Sequence, residues 1–395
     1  MDRVKTVLIG AAVMIAGLGV IFGLNAYKNK KQEAAISSMC TPETEMGSGP
    51  VDVSEMEPGT SPMNAPVMEA GSGPMDAPVM EAGSAVMPGL YTGESYLAKN
   101  EWINNPDGTV TYQGNTYKRN AHIKAILLAG IDHKNGMQSK DAAGDTGAAD
   151  GIMLIAQDTS KKSIKMLLIP RDSMVEYTVS AQNGEVFSVF DHLSISFAYG
   201  DGRDESAKSL MQATSNLLCG LEINHYLAGD LALLADLNDM VGGVTVTIPG
   251  DELAKKNPEW TRGKQVTLHG DEAESFIRYR DIQVDGSPVL RMNQHQAYIS
   301  GFYKALKETS GKDSAIVSKL VDKIDSSIVT DMSKGDYEKI ALDALQGGFN
   351  PDKDMKSLKG TSEVGEEDGT LYDQVYLDYT DTIPLLLDLF YRRVN

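Results

Sequence analysis

The chain has 395 residues, 42% of them hydrophobic and 23% charged, with a formal net charge of -19. That length supports one large or two medium globular domains, and so acidic a chain excludes nucleic acid as the main partner, since phosphate-backbone binding needs a basic face. Two cysteines, Cys40 and Cys219, are too few for a disulfide framework or a CxxC metal site.

Residues Val7 to Leu24 form an uncharged apolar run just long enough to cross a bilayer core. Arg3 and Lys5 precede it and Lys28, Lys30 and Lys31 follow, so flanking charge sets no orientation. No small-x-small cleavage site follows Leu24, and Cys40 is no lipobox cysteine. The segment 7-24 therefore reads as an uncleaved transmembrane signal anchor, with residues 1-6 cytoplasmic and the globular body outside the cell membrane. From Gln32 to Ala98 there is no Lys or Arg, and a repeat runs from Asn64 to Met75 and again from Asp76 to Met87. Such Pro-, Gly- and Met-rich sequence buries too little apolar surface to offset ordering, so 25-90 reads as a disordered acidic stalk.

Order is expected from about Tyr91, with a hairpin of Thr109–Tyr112 and Thr116–Lys118 inside a segment 91-119. Three near-continuous apolar runs follow, Ile123–Gly130, Gly151–Ala156 and Ile164–Ile169, as expected of strands buried on both faces. Val244–Pro249 reads as a further strand. Periodicity predicts helices over Asp204–Cys219, Ala228–Val241, Gly270–Arg280, Met292–Glu308, Ala315–Ile324, Asp336–Leu345 and Ile383–Arg393, and the acidic Gly360–Thr370 reads as a loop. Central strands with helices between and after them imply an α/β fold, a layered α-β-α sandwich with a central mixed β-sheet.

Four arginines carry the chemistry: Arg171, Arg278, Arg280 and Arg291. An acidic protein can hold a phosphate only in a local cationic pocket, and the planar guanidinium fork suits phosphate oxygens; surface salt bridging is the alternative reading. Ligand-binding residues of open α/β sheets gather where strands end. The first buried strand ends in Gly130-Ile-Asp132-His-Lys134, and the second begins at Asp150. If these strands are antiparallel neighbours, the two carboxylates share one edge and suit Mg²⁺; otherwise they cap a turn and a strand. Arg278 and Arg280 are i, i+2, so they converge only if the helix ends between them. The histidines show no metal-ligand spacing, and His133 alone lies near the proposed site.

In order along the chain stand Gly130-Ile-Asp-x-Lys134, Ala149-Asp-Gly-Ile-Met-Leu154, Ile169-Pro-Arg-Asp172, His192-Leu-Ser-Ile-Ser-Phe-Ala-Tyr-Gly200, Asp239-Met-Val-Gly-Gly-Val-Thr-Val246, His269-Gly-Asp-Glu-Ala273 and Arg278-Tyr-Arg-Asp281. Together they resemble the LytR-CpsA-Psr family, also labelled a cell-envelope-related transcriptional attenuator, over residues 120-310, which leaves 311-395 as a helical and strand extension. The resemblance implies a membrane-anchored phosphotransferase. It would move a glycopolymer such as teichoic acid or capsule from a polyprenyl-pyrophosphate carrier to peptidoglycan. It also implies Asp132 and Asp150 as Mg²⁺ carboxylates, with Asp132 able to accept a proton. Arg171, Arg278 and Arg280 are implied as pyrophosphate ligands, with Arg291 and Asp285 as later positions. The chain departs from the pattern at Lys134 (often Arg), at Ala148-Ala149 (commonly Arg-Ser) and at Gln294-His295 (expected Arg-Gln). Those departures keep open a non-catalytic polyprenyl-phosphate-binding regulator; a lipid pyrophosphate hydrolase is the other reading. Polyprenyl-pyrophosphate-linked glycan, peptidoglycan and the membrane are the expected partners.

Overall fold

The computed structural model describes residues 99–132, 137, 146–180, 186–230, 233–279, 281, 287–313, 315–325, 327–346, 349–367 and 370–394. The apolar segment 7–24 and the stalk 25–90 lie outside them, as do His133, Lys134, Arg280 and Asp285. No helix among the described residues is long and apolar enough to cross a membrane.

Strands β1 (Ile103–Asn104), β2 (Thr109–Tyr112) and β3 (Asn115–Arg119) form an antiparallel meander. Gln113 and Gly114 join the last two with φ of 46° and 72°, the left-handed pair that a two-residue hairpin loop requires. The three apolar runs become β4 (Ile123–Ile131), β5 (Ala149–Asp158) and β6 (Ser163–Ile169), antiparallel in sequence and buried on both faces. A hairpin of β7 (Met174–Ser180) and β8 (Val186–His192) leads into a 3-10 turn, Leu193–Tyr199. Then come α1 (Asp204–Leu217), β9 (His225–Asp230), α2 (Leu233–Met240), β10 (Val244–Thr247), β11 (Gln265–Leu268), α3 (Asp271–Arg278), α4 (Ser287–Lys312) and α5 (Ile316–Asp325). The chain closes with β12 (Ile328–Thr330), α6 (Lys334–Gln346), α7 (Pro351–Asp354), β13 (Met355–Ser357), β14 (Gly360–Glu367), β15 (Thr370–Leu377), α8 (Tyr379–Phe390) and β16 (Tyr391–Arg393).

The fold is mixed α/β around a central mixed sheet of order β12-β9-β4-β5-β6-β13, in which only β4–β9 and β6–β13 are parallel. Strand side chains alternate between faces. Ile126, Leu128, Met153 and Ile155 pack with α2 to α6, while Leu127, Ala129 and Leu154 pack with α1 and α8. Each such buried Leu or Ile contributes about 1.5–3 kcal/mol of transfer free energy, which fixes the sheet edge that carries the site.

Four expectations need correction. Ala228 to Asp230 are not helical: they end β9, where Ala228 lies beside Ala129 and Gly229 beside Gly130, so a parallel partner overrides the helical pattern. The helix expected from Gly270 stops at Arg278. Gly360–Glu367 is a strand, because β15 supplies a full antiparallel ladder that its acidic sequence does not advertise. Tyr391–Arg393 leaves the last helix to pair with β3. The strand expected at Val244 forms, but it pairs with β11 outside the central sheet and lies so close to α4 that a Cβ on Gly301 would stand 2.4 Å from the Thr245 carbonyl.

Candidate active site

Register builds the site. β4 and β5 pair Gly130 with Gly151, slip, and pair Ile131 with Ala149; the Asp132 N–H then donates to the Ala148 carbonyl at 3.1 Å. Asp132 and Asp150 therefore share one sheet edge. β6 runs antiparallel to β5 with Ile169 opposite Ile152, which delivers Pro170-Arg171-Asp172 to the same edge. There the Ser173 hydroxyl and N–H both donate to the Pro170 carbonyl, at 2.7 and 3.1 Å, tightening the turn. Ala148, 2% exposed, packs against Ile195 and Ala198 where the family pattern has a longer polar side chain.

Four side chains then alternate in charge. Arg171 Nη1 donates to Asp150 Oδ1, and Arg171 Nε donates to Asp172 Oδ1 at 2.9 Å. Arg291 Nη2 donates to the second Asp172 oxygen. Asp150 is 0% exposed, Arg291 3%, Asp172 4% and Arg171 8%. Burial pushes Asp150 up to about 8, with Arg171 pulling the other way. Burial likewise lowers Arg291, partly offset by Asp172. The sequence reading missed Asp172, which joins the two buried arginines; its only local signal was an acid directly after Arg171 at a strand end.

A second, more open group forms the rim. Arg278 is the last residue of α3; its Nη2 donates to Asp132 Oδ2 at 3.3 Å and its Nη1 to Glu274, one turn back. Arg278, Asp132 and Glu274 keep 20%, 24% and 29% of their side-chain surface. The helix does end between Arg278 and Arg280, as convergence of the two requires. Helix ends leave carbonyls without intrahelical donors. Gln294 Nε2 donates to the Phe276 and Tyr279 carbonyls at 2.8 and 3.0 Å, and the His295 ring lies by the Ile277 backbone. The departure at Gln294-His295 thus closes the helix end that presents Arg278.

The C-terminal part of the chain also reaches the site. The Val375 N–H of β15 donates to the Asp172 carbonyl at 2.8 Å, and Ser173 forms a parallel bridge with Val375. His192 anchors that hairpin, with Nε2 2.8 Å from the Asp373 carbonyl and Nδ1 2.8 Å from Asp191. Neither contact is visible in local sequence.

Among the described residues no three His, Cys, Asp or Glu side chains form a cation cage. One Asp150 carboxylate oxygen is buried with no hydrogen-bond partner among them, and Asp132 stands on the same edge. Two hard carboxylates, one with an unfilled oxygen, fit Mg²⁺, which takes one or two carboxylates and completes its shell with phosphate and water oxygens.

The model of the LytR_cpsA_psr family matches residues 94–379. The chain belongs to the LytR_cpsA_psr family. It is 24% identical over 245 residues to the polyisoprenyl-teichoic acid–peptidoglycan teichoic acid transferase TagV of Bacillus subtilis, a match covering 60% of this chain and 58% of that relative. To TagU of Enterococcus faecalis, which carries the same transferase name, it is 26% identical over 251 residues, covering 64% of this chain and 74% of the relative. The crystal structure of B. subtilis TagV overlaps 68% of this LytR_cpsA_psr chain and 96% of its own, at 19% identity and a TM-score of 0.49.

Proposed function

We propose that this chain is a membrane-anchored phosphotransferase that moves a glycopolymer from a polyprenyl-pyrophosphate carrier to peptidoglycan. One observation carries the reading: Arg171, Arg278 and Arg291, from distant parts of the sequence, meet beside Asp132 and Asp150 at one sheet edge. The relatives named as teichoic acid transferases supply the substrate class.

Arg278, at the rim, meets the pyrophosphate first and trades its carboxylate partners for phosphate oxygens. Arg171 and Arg291 lie behind it and hold a fixed positive field where charge develops on the departing lipid phosphate. Asp132, partly exposed, takes the proton of the attacking sugar hydroxyl. That oxygen bonds to the phosphorus bearing the glycan as the bond to the polyprenyl phosphate breaks, leaving a phosphodiester. Mg²⁺ held by Asp132 and Asp150 would neutralise phosphate charge. Residues 7–24 would anchor the chain and 25–90 would tether the globular part at the outer face of the membrane.

Incubation of the full chain with lipid-linked glycan, Mg²⁺ and peptidoglycan tests this. Glycan-wall linkage is the expected product; soluble glycan phosphate and polyprenyl phosphate without that linkage identify a hydrolase, and binding without either product a regulator. Arg171→Ala and Arg278→Ala are each expected to abolish binding of polyprenyl pyrophosphate, and unaltered affinity in both variants removes the assignment.

A further inference from the structure

A small space of about 10 Å³ is lined by Asp150, Arg171, Arg291 and His295 together with apolar neighbours that include Ile152 and Leu168. Three of these residues each own a buried polar atom with no hydrogen-bond partner among the described residues: Asp150 Oδ2, Arg291 Nη1 and His295 Nε2. An unmatched buried polar atom costs roughly 1–3 kcal/mol. Three around one space form a built site rather than three separate defects.

The chemistry of the three atoms selects the occupant. His295 Nε2 is a buried atom without a partner among the described residues, and in the neutral Nδ1–H tautomer that nitrogen is an acceptor. Arg291 Nη1 can only donate, and Asp150 Oδ2 accepts in the ionised form, which burial opposes and the charge of Arg171 favours. A cation placed there would face the guanidinium, and an anion would face the carboxylate and the imidazole lone pair. What fits is a neutral, single-heavy-atom molecule that donates twice and accepts once. Water does this, and it needs about 10–15 Å³ of such space and two to four polar partners.

We infer that one buried water occupies this space, accepting from Arg291 Nη1 and donating to His295 Nε2 and Asp150 Oδ2, and that through it His295 is a positioning residue for Arg291. Arg291 Nη2 holds Asp172, and Asp172 holds Arg171, so the water fixes the far end of the whole buried chain. A carboxylate oxygen has two lone pairs, so the water leaves Asp150 able to meet a cation on the Asp132 side. This inference stands apart from the transfer reading and needs no lipid substrate.

A high-resolution crystal structure of the full chain, with a second crystal soaked in Mn²⁺, tests the occupant. A single peak within hydrogen-bond distance of all three atoms, without anomalous signal, is expected. A dry cavity or an anomalous peak overturns the inference. The positioning role is read from the rotation of the Arg291 guanidinium by ¹⁵N NMR of the full chain in detergent. His295→Gln can place an acceptor near the Nε2 position but gives up the group near Nδ1 that faces the Ile277 backbone; His295→Asn keeps a donor near Nδ1 and loses the acceptor. Slow rotation should persist in His295→Gln and quicken by roughly fivefold in His295→Asn, the rate equivalent of one lost hydrogen bond. If His295 only caps α3, the order of the two variants reverses; reversed or equal rates defeat the positioning role.

Discussion

The buried chain Asp150-Arg171-Asp172-Arg291 and the rim group Asp132-Arg278-Glu274 use the same chemistry at different depths. At the rim, water competes for every charge and the pairing is worth little by itself. In the interior, each charge has given up its hydration and relies on its neighbour, so removing one partner leaves another stranded. On the proposed function, depth would divide the labour: the inner group would be architecture that sets a field, and the outer group would exchange carboxylate for ligand. The widest separation between them should appear with Asp172→Ala, which strands the buried Arg291 guanidinium, leaves Arg171 only Asp150, and should destabilise the fold by about 3–5 kcal/mol in urea unfolding. A loss below about 1 kcal/mol, the range of exposed pairs, would erase the distinction.

The next largest effect belongs to His295. Burial, reinforced by the charge of Arg291, lowers this imidazole to about 3 from its usual 6.5. Between those values the unfolded chain binds a proton that the folded protein refuses. The stability contributed by the neutral ring is therefore complete above pH 6.5 and is lost as pH falls toward 3. The slope is about 1.4 kcal/mol per pH unit, so acidifying from pH 6 to pH 4 should cost the wild type about 2–3 kcal/mol more than His295→Gln. Chemical denaturation of both proteins across that range measures the difference, and parallel curves would place the ring in contact with water.

Arg278→Ala marks the opposite pole. Its partners lie at the surface, so the variant should change stability by no more than about 1 kcal/mol while losing affinity for polyprenyl pyrophosphate. Thermal unfolding and ligand binding measured on one preparation separate the two effects. A large loss of stability would move Arg278 into the architecture.

The inner sheet was legible because runs such as Ile126-Leu-Leu-Ala129 and Met153-Leu-Ile155 admit little except buried strands. Asp132 and Asp150 share an edge on the condition that the first two buried strands are antiparallel neighbours, which they are. What escaped is what depends on partners distant in sequence. β9 was hidden because Tyr226-Leu-Ala228 merges with the apolar face of α2, and only the parallel ladder with β4 divides them. Asp172 read as one more acid in an acidic chain until Arg291, 119 positions away, was found on its second oxygen. Gln294-His295 read as a departure from the expected Arg-Gln; in three dimensions Gln294 closes the end of α3. The β14–β15 hairpin, which holds the Asp172 carbonyl, was read as a loop because its strand former Val364 sits among Gly and Glu.

The finest test of depth lies within the rim itself. Glu274 occupies one side of Arg278 and brings a negative charge close to where a phosphate would arrive. A ligand must displace that carboxylate and approach against its field. Glu274→Gln keeps the shape, weakens the hold on Arg278 Nη1 and deletes the repulsion, so binding of inorganic pyrophosphate should tighten by a few-fold, with the gain shrinking as salt is added. Glu274 also sits in the first turn of α3, where a negative charge favours the helix by about 0.3–1 kcal/mol, so the variant should lose about that much stability. Calorimetric titration at two ionic strengths reads the affinity. Weaker binding at low salt would mean that Glu274 aims Arg278 at the ligand, and the rim would then share the fixed character of the interior.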